Sequence, residues 1–307
     1  MNIEKYLDVQ PEIAAAIADG RPVVALESTI LSHGMPYPEN MEFAHKAEQI
    51  IRAEGAVPAT TAIIGGKLKV GLTPEELDLM CNPVDIGKVS RRDVAVYLAT
   101  GKTGATTVAT TMLIAAMAGI RVFATGGIGG VHRGGENTMD ISADLQELAS
   151  TPVAVVCAGA KMILDLGLTL EYLETQGVPV LGFRTDEFPA FYCRTSGFKL
   201  DYRAESEEEI AEIMKVKWDL GLKGGIVIGN PIPQEYELDF DWMNRVINDA
   251  LKKAEEQGIR GKYITPFVLS ELRDMTDGVS FASNLELAYN NIRVASRIAK
   301  AYAEKCK

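Results

Sequence analysis

The sequence predicts an α/β protein: a single layered α/β/α domain with a largely parallel or mixed central sheet, taking in residues 1–307. Three observations lead there. Short apolar runs of strand length alternate with stretches of helical spacing through most of the chain. The runs are continuously apolar rather than alternating, which suits strands covered on both faces. No low-complexity linker or internal repeat divides the chain.

Residues 11–19 have the spacing of a short helix stopped by Gly20. Residues 22–26 (PVVAL) follow as a buried strand running into Glu27-Ser28-Thr29. A helix over 39–54 stops at Gly55, and 57–64 (VPATTAII) is a second strand with Gly65-Gly66 as its turn. Thr73-Pro74-Glu75-Glu76 carries a helix start: a capping threonine, proline at the first position, then acids. Helices are expected over 91–100 and 107–118, then a strand over 122–125 that enters a glycine-rich loop. Residues 143–149 are helical, and 153–158 (VAVVCA) form an apolar strand that meets Lys161. A helix over 170–175, a strand over 178–183, a helix over 205–221 and a strand over 225–228 continue the alternation. Long helices over 239–257 and 284–304 close it.

The chain has 307 residues, 47% of them hydrophobic and 24% charged, so it can bury a large core and is not of disordered composition. A net charge of −11 argues against a general grip on nucleic acid or on an anionic membrane. It leaves room for a small anionic ligand held by a few placed cations and amides. The four cysteines are scattered without a CxxC pattern, which excludes a zinc ribbon or a disulfide framework. The first ten residues include Glu4 and Asp8, unlike a signal peptide, and no uninterrupted apolar stretch of about 18 residues occurs. The expected compartment is the cytoplasm.

Several polar residues directly follow apolar strands: Glu27, Thr125 and Lys161. Ligands of open α/β sheets bind beyond the carboxyl ends of the strands, so these residues are expected to share one crevice. A lysine moved from water into apolar surroundings tends to lose its proton, and a neutral amine attacks carbonyls to form a Schiff base. Lys161 has apolar flanks that fit; the alternative is a lysine snorkelling to solvent. Glu27 can give or take a proton.

The segment 125–135 holds six glycines, which let backbone amides converge on a phosphate; tight loop packing is the alternative. His132 and Arg133 can add charge-assisted bonds. No helix is expected directly after these glycines, so the segment is not a dinucleotide fingerprint. Gly101-Lys102-Thr103 lacks the earlier glycine of a P-loop, since Val96 stands there. Asp140 and Asp144 lie four apart at an expected helix start; their oxygens suit magnesium or manganese, and helix capping by Asp140 is the alternative. Lys88, Arg91 and Arg92 form a basic cluster whose simplest explanation is a solvated helix end. The histidines His33, His45 and His132 show no zinc spacing, and His45 falls on a surface helix.

Long segments carry a resemblance beyond this chemistry: ALESTILSHGMPYPEN (25–40), KVSRRDVA (88–95), TGATTVATTM (103–112), FATGGIGGVHRG (123–134), TMDISADL (138–145), VVCAGAKMILDLGLTLEYLETQGVPV (155–180), PAFYCRTS (189–196), GNPIP (229–233) and TPFVLSEL (265–272). Together they resemble the pseudouridine-5′-phosphate glycosidase family over nearly the whole chain. The resemblance implies reversible conversion of pseudouridine 5′-phosphate and water to uracil and ribose 5-phosphate. It implies Lys161 as the nucleophile toward C1 of the opened ribose, Glu27 as the proton donor and Asp140 as the ligand of a manganese ion, or another divalent cation. It implies substrate contacts at Lys88, Val108 and the run Ser142-Ala143-Asp144, with Thr125, His132 and Asn284 at the phosphate and ribose end. It also implies a homotrimer. Two other readings share the lysine or the glycine loop: a Schiff-base aldolase acting on a sugar phosphate, and a non-catalytic sensor of nucleotides or sugar phosphates.

Overall fold

A computed structural model describes residues 3–82 and 84–307, the side chain of Lys262 apart. Strand β1 (Leu7–Val9) and helix α1 (Pro11–Ala18) lead to the buried strand β2 (Val23–Leu26). A π-helical turn at Ile30–Gly34 precedes α2 (Glu39–Ala53), then come β3 (Val57–Ile64), β4 (Lys67–Val70) and α3 (Pro74–Cys81). Thr73 closes α3 with a full capping box to Glu76. Next are β5 (Gly87–Val89), a 3₁₀ turn at Arg91–Asp93, α4 (Val94–Ala99), β6 (Gly104–Thr106), α5 (Val108–Ala118) and β7 (Val122–Ala124). The glycine-rich stretch holds β8 (Val131–His132) and the single turn α6 (Gly135–Thr138), followed by α7 (Ala143–Ser150), β9 (Ala154–Cys157), β10 (Leu164–Asp165) and α8 (Leu166–Thr175). The chain ends with β11 (Val180–Phe183), β12 (Tyr202–Ala204), α9 (Glu207–Asp219), β13 (Ile226–Gly229), α10 (Phe240–Glu256), α11 (Ile264–Met275) and α12 (Val279–Lys305).

The main sheet has the order β1-β4-β3-β2-β7-β9-β13-β11-β12, with β6 also on β3 and β5 on β6. From β3 through β12 every pairing is parallel, while β4 and β6 pair antiparallel to β3. The sheet is thus largely parallel with a mixed edge, as the apolar runs lead one to expect. The antiparallel strand β4 (KLKV) and the three-residue strands β5 and β6 carry too few apolar residues to stand out in the sequence.

Adjacent residues of a strand face opposite sides of the sheet. On β3, Thr61 bonds to Thr111 of α5, while Thr60 bonds to Glu48 of α2. Helices α2 and α5 therefore cover opposite faces. Helix α12 joins the α2 layer through the stacked rings of Phe43 and Tyr289, and it packs along α9. The apolar core is continuous through these layers: Val24, Ala25, Phe123, Val155, Val156, Val227 and Ile228 are fully enclosed in the sheet. Cys81, Cys157 and Cys193 are buried free thiols and Cys306 is an exposed one. Among the described residues, no helix is long and apolar enough to cross a membrane.

Candidate active site

Strand β2 connects outward to β3 on one side, and the chain later returns as β7 on its other side. The gap between the ends of β2 and β7 is therefore a topological switch point, where open α/β sheets present their ligand crevice. Leu26 and Ala124 are register partners, so Glu27 and Thr125 leave the sheet at the same level. The Thr125 hydroxyl donates to Glu27 Oε1 at 2.5 Å. The backbone beside Glu27 is pinned in turn. The Ser28 N–H donates to Thr106 Oγ1 at 3.3 Å, the Thr106 N–H to Ser28 Oγ at 2.9 Å, and the Thr29 hydroxyl to the Thr106 carbonyl at 2.8 Å. Glu27 lies deep in the crevice with part of its surface open to it. Burial pushes its carboxyl above the ordinary value; Lys161, the Thr125 bond and Lys88 work against this, and Asp144 adds to it.

Lys161 follows β9 by way of a single bridge between Ala160 and Ile128. Its N–H donates to the Ile128 carbonyl at 3.1 Å, which fixes the lysine backbone to the glycine-rich loop. Among the described residues its ammonium makes no hydrogen bond and no close ion pair, and its charge acts on the Glu27 carboxyl. Asn291 of α12 steadies the loop from behind, donating to the carbonyls of Thr125 at 2.8 Å and Gly126 at 3.3 Å.

The glycines serve packing as much as openness. A Cβ on Gly129 would stand 2.2 Å from Ser142 Oγ and 2.6 Å from Asp144 Oδ2, and one on Gly130 would stand 2.3 Å from Thr169 Oγ1. The amides of Ile128, Gly129, Val131 and His132 donate to Gly159, Asp144, Thr169 and Asp140. Those four amides are committed to the protein, so the tight-packing alternative holds for this part of the loop. The helical turn α6 does open after Gly134, contrary to the expectation, but it is too short for a dinucleotide site.

The two aspartates divide their work. Asp144 is buried, and its two oxygens accept from the Ala109 N–H at 2.9 Å and the Gly129 N–H at 2.8 Å. It thereby ties the start of α5, where Val108 lines the crevice, to the glycine-rich loop. Ser142, not Asp140, caps α7 by accepting from the Asp144 N–H at 3.2 Å. The capping alternative for Asp140 fails because that residue lies two positions before the cap. The Asp140 carboxylate has no hydrogen bond among the described residues and faces the cavity beside His132. Burial holds the His132 imidazole below its usual range, helped by Lys88 and Lys161 and opposed by Asp140.

All the candidate residues line one cavity of about 730 Å³: Glu27, Lys88, Val108, Thr125, His132, Asp140, Ser142, Ala143, Asp144, Lys161 and Asn284. Lys88 sits in β5 and is half-buried, so the solvated-helix-end explanation fails for it. Arg91, also set aside from sequence, lines the same wall and bonds both oxygens of the fully buried Glu147 at 2.6 and 2.5 Å. Their separation of 56 positions leaves no local signal. His33 and the α11 residues Thr265, Pro266 and Leu269 complete the wall; they too carry no signal in spacing. His45 is exposed on α2, as expected. Among the described residues no group of three His, Cys, Asp or Glu side chains gathers around a point. Asp140 thus fits a hydrated divalent cation whose remaining ligands are water or substrate oxygens, and does not fit a closed protein cage.

The profile of the indigoidine synthase A-like proteins matches residues 12–301. The pseudouridine-5′-phosphate glycosidase of Clostridium botulinum is 61% identical over 298 residues, covering 97% of each chain. That of Caldanaerobacter subterraneus is 60% identical over 297 residues, again 97% of each chain. Among solved structures, the prealnumycin C-glycosynthase AlnA in complex with ribulose 5-phosphate superposes with a TM-score of 0.91 at 40% identity, covering 98% of each chain. An indigoidine synthase A-like protein from Thermotoga maritima superposes with a TM-score of 0.89 at 36% identity, covering 97% of each chain. The chain belongs to the pseudouridine-5′-phosphate glycosidase family of indigoidine synthase A-like proteins.

Proposed function

We propose that this protein reversibly cleaves the carbon–carbon glycosidic bond of pseudouridine 5′-phosphate, giving uracil and ribose 5-phosphate, through a Schiff base on Lys161. The observation that carries the reading is the convergence of Glu27 and Lys161 in one cavity, at the switch point of the sheet. Relatives with matched full length are named for this activity, and a C-glycosynthase of the same fold holds a pentose phosphate.

The chemistry explains the pair. Uracil leaves through carbon, so simple departure from a closed ribose is poor. Glu27 in its protonated form, favoured by burial, donates its proton to the ring oxygen as the bond from that oxygen to C1 breaks. The neutral Lys161 amine forms a bond to C1 and gives one of its protons to the Glu27 carboxylate, which leaves a lone pair on the nitrogen. The C1–C5 bond then breaks, its electron pair passing into the uracil ring, where C5 takes that proton from Glu27. The nitrogen lone pair makes the protonated imine at C1. Water adds to the imine, C1 leaves as the aldehyde of ribose 5-phosphate, and the protons of the water restore the amine and the Glu27 carboxyl. Lys88, Thr125, His132, Ser142 and Asn284 hold the phosphate and sugar, with Val108 and Ala143 giving backbone or apolar contact. Asp140 would hold a manganese or other divalent ion, which offsets phosphate charge when bound. We further take residues 1–307 as one catalytic domain that works as a homotrimer in the cytoplasm.

The test is product analysis. Incubation with pseudouridine 5′-phosphate and manganese should release uracil and ribose 5-phosphate in equal amounts. A ribose phosphate aldehyde cleaved within the sugar, without uracil, would favour the aldolase reading instead.

A further inference from the structure

Glu147 lies on α7 with its side chain fully enclosed. Both of its oxygens accept from Nη1 of Arg91, at 2.6 and 2.5 Å, and one also accepts from the Thr151 hydroxyl. A carboxylate taken out of water carries a large desolvation penalty. A single pairing with an arginine whose side chain is 51% exposed offsets only part of it. An apolar side chain of similar size would fill the place at least as stably. The pair is therefore a poor source of stability. What it does provide is a guanidinium held still on the wall of the substrate cavity.

A guanidinium has five N–H groups. Nη1 directs its own to Glu147, while Nε and Nη2 make no hydrogen bond among the described residues. The remaining donors lie in one plane, in the fork that fits a phosphate. Arg91 also sits in the right part of the cavity. It comes three positions after Lys88, just past the end of β5. That end is held to the start of α5, where the Thr107 N–H donates to the Val89 carbonyl at 3.2 Å and the Thr110 hydroxyl to the same oxygen at 2.9 Å. The Arg91–Glu147 pair holds it to α7, which begins just after Ser142. Lys88, Val108, Ser142 and Ala143, which the proposed reaction places on phosphate and sugar, are thus drawn together around Arg91. The cavity also holds the carboxylates of Glu27, Asp93, Asp140 and Asp144, so a phosphate dianion entering it needs more than one cation. Lys161 is given to C1, and the side chain of Arg92 is 82% exposed beside Asp93.

We propose that Arg91 binds the 5′-phosphate of the substrate and so selects phosphorylated over unphosphorylated substrate, with Glu147 as the residue that positions it. The proposal deepens the functional reading and rests on it. Glu147 holds the guanidinium in place before substrate arrives, so little side-chain freedom is lost on binding. Lys88 supplies a point charge and Arg91 a planar fork. With phosphate bound, Arg91 bridges two anions, one buried and fixed, the other exchangeable.

The test is Arg91→Gln, read by titration with inorganic phosphate and by turnover of pseudouridine 5′-phosphate. The dissociation constant of phosphate and KM should rise together by roughly tenfold to a hundredfold, as for loss of hydrogen bonds to a charged group, while kcat changes far less. Arg91→Lys should recover only part of this, because an ammonium lacks the fork that serves Glu147 and phosphate at once. Glu147→Gln keeps the cation and loosens its anchor, and should raise both constants by a smaller factor. If Arg91→Gln does not fold with Glu147 left unpaired, Arg91→Gln combined with Glu147→Gln replaces the ion pair by two amides and is read in the same way. Unchanged phosphate affinity in a folded variant overturns the assignment, and a fall in kcat and thermal stability beside it marks the pair as a structural tie. Loss of phosphate affinity in the variant, with no uracil released by the unaltered protein, keeps Arg91 as a phosphate ligand and overturns only the functional reading.

Discussion

The Thr125 hydroxyl reaches across the switch point of the sheet to donate to the Glu27 carboxylate at 2.5 Å. The two residues end neighbouring strands 98 positions apart in sequence, so the bond exists only because β2 and β7 pair in register. It aims the carboxyl into the crevice while burial raises the carboxyl above its ordinary value. The acid of the proposed reaction is thus set by topology first and by environment second.

Replacing Glu27 by Gln keeps shape and removes the proton. Turnover should fall about 10²–10⁴-fold with little change in KM. The pH dependence has a definite sign. The folded carboxyl titrates above its ordinary value, so the stability tied to its neutral form is complete at low pH and is lost as pH rises through the raised value. Thermal melts of Glu27→Gln should therefore match the unaltered protein at acid pH and exceed it at neutral pH. Equal turnover in the glutamine variant removes Glu27 from the acid role.

Asp144 acts on the site through backbone. Changing it to Asn leaves one acceptor for two amides and turns an N–H group toward a donor. Leaving a buried amide unsatisfied costs about 1–3 kcal/mol, so denaturant melts should show a loss of that size. Activity should fall as the Gly129 loop and the start of α5 part. A stable, fully active Asp144→Asn protein would show that this tie does not shape the cavity.

Asp140 predicts the opposite pattern. Its carboxylate has no hydrogen bond among the described residues, so Asp140→Asn should leave thermal stability close to that of the unaltered protein. The manganese concentration for half-maximal activity should rise by roughly tenfold or more, since a carbonyl oxygen is a poorer ligand than a carboxylate. An unchanged metal response takes Asp140 out of the metal site.

Much of this was legible in the sequence. The strands Val57–Ile64 and Val23–Leu26, and the capping box at Thr73, follow from local pattern because burial on both faces and capping chemistry leave local marks. Glu27, Thr125 and Lys161 were grouped by a general rule of α/β sheets, and the resemblance supplied Lys88, Val108 and Asn284. What stayed hidden depends on distant partners. Arg91 looks like a solvated helix end until Glu147 is seen beneath it. Asp140 looks like a cap until Ser142 takes that place. Helix α11 offers Thr265 and Leu269 to the cavity; its stretch 265–272 enters only through the resemblance, and nothing in its spacing marks these side chains as cavity walls.

The most direct test of the central claim is the intact mass of the protein after incubation with ribose 5-phosphate, uracil, manganese and borohydride, followed by peptide mapping. The account predicts a reduced pentose-phosphate adduct on Lys161, with no adduct and no turnover in Lys161→Ala. Lys161→Arg should also be inactive, because a guanidinium keeps its proton. Formation of pseudouridine 5′-phosphate without any adduct, or near-normal turnover in either variant, would contradict the Schiff base.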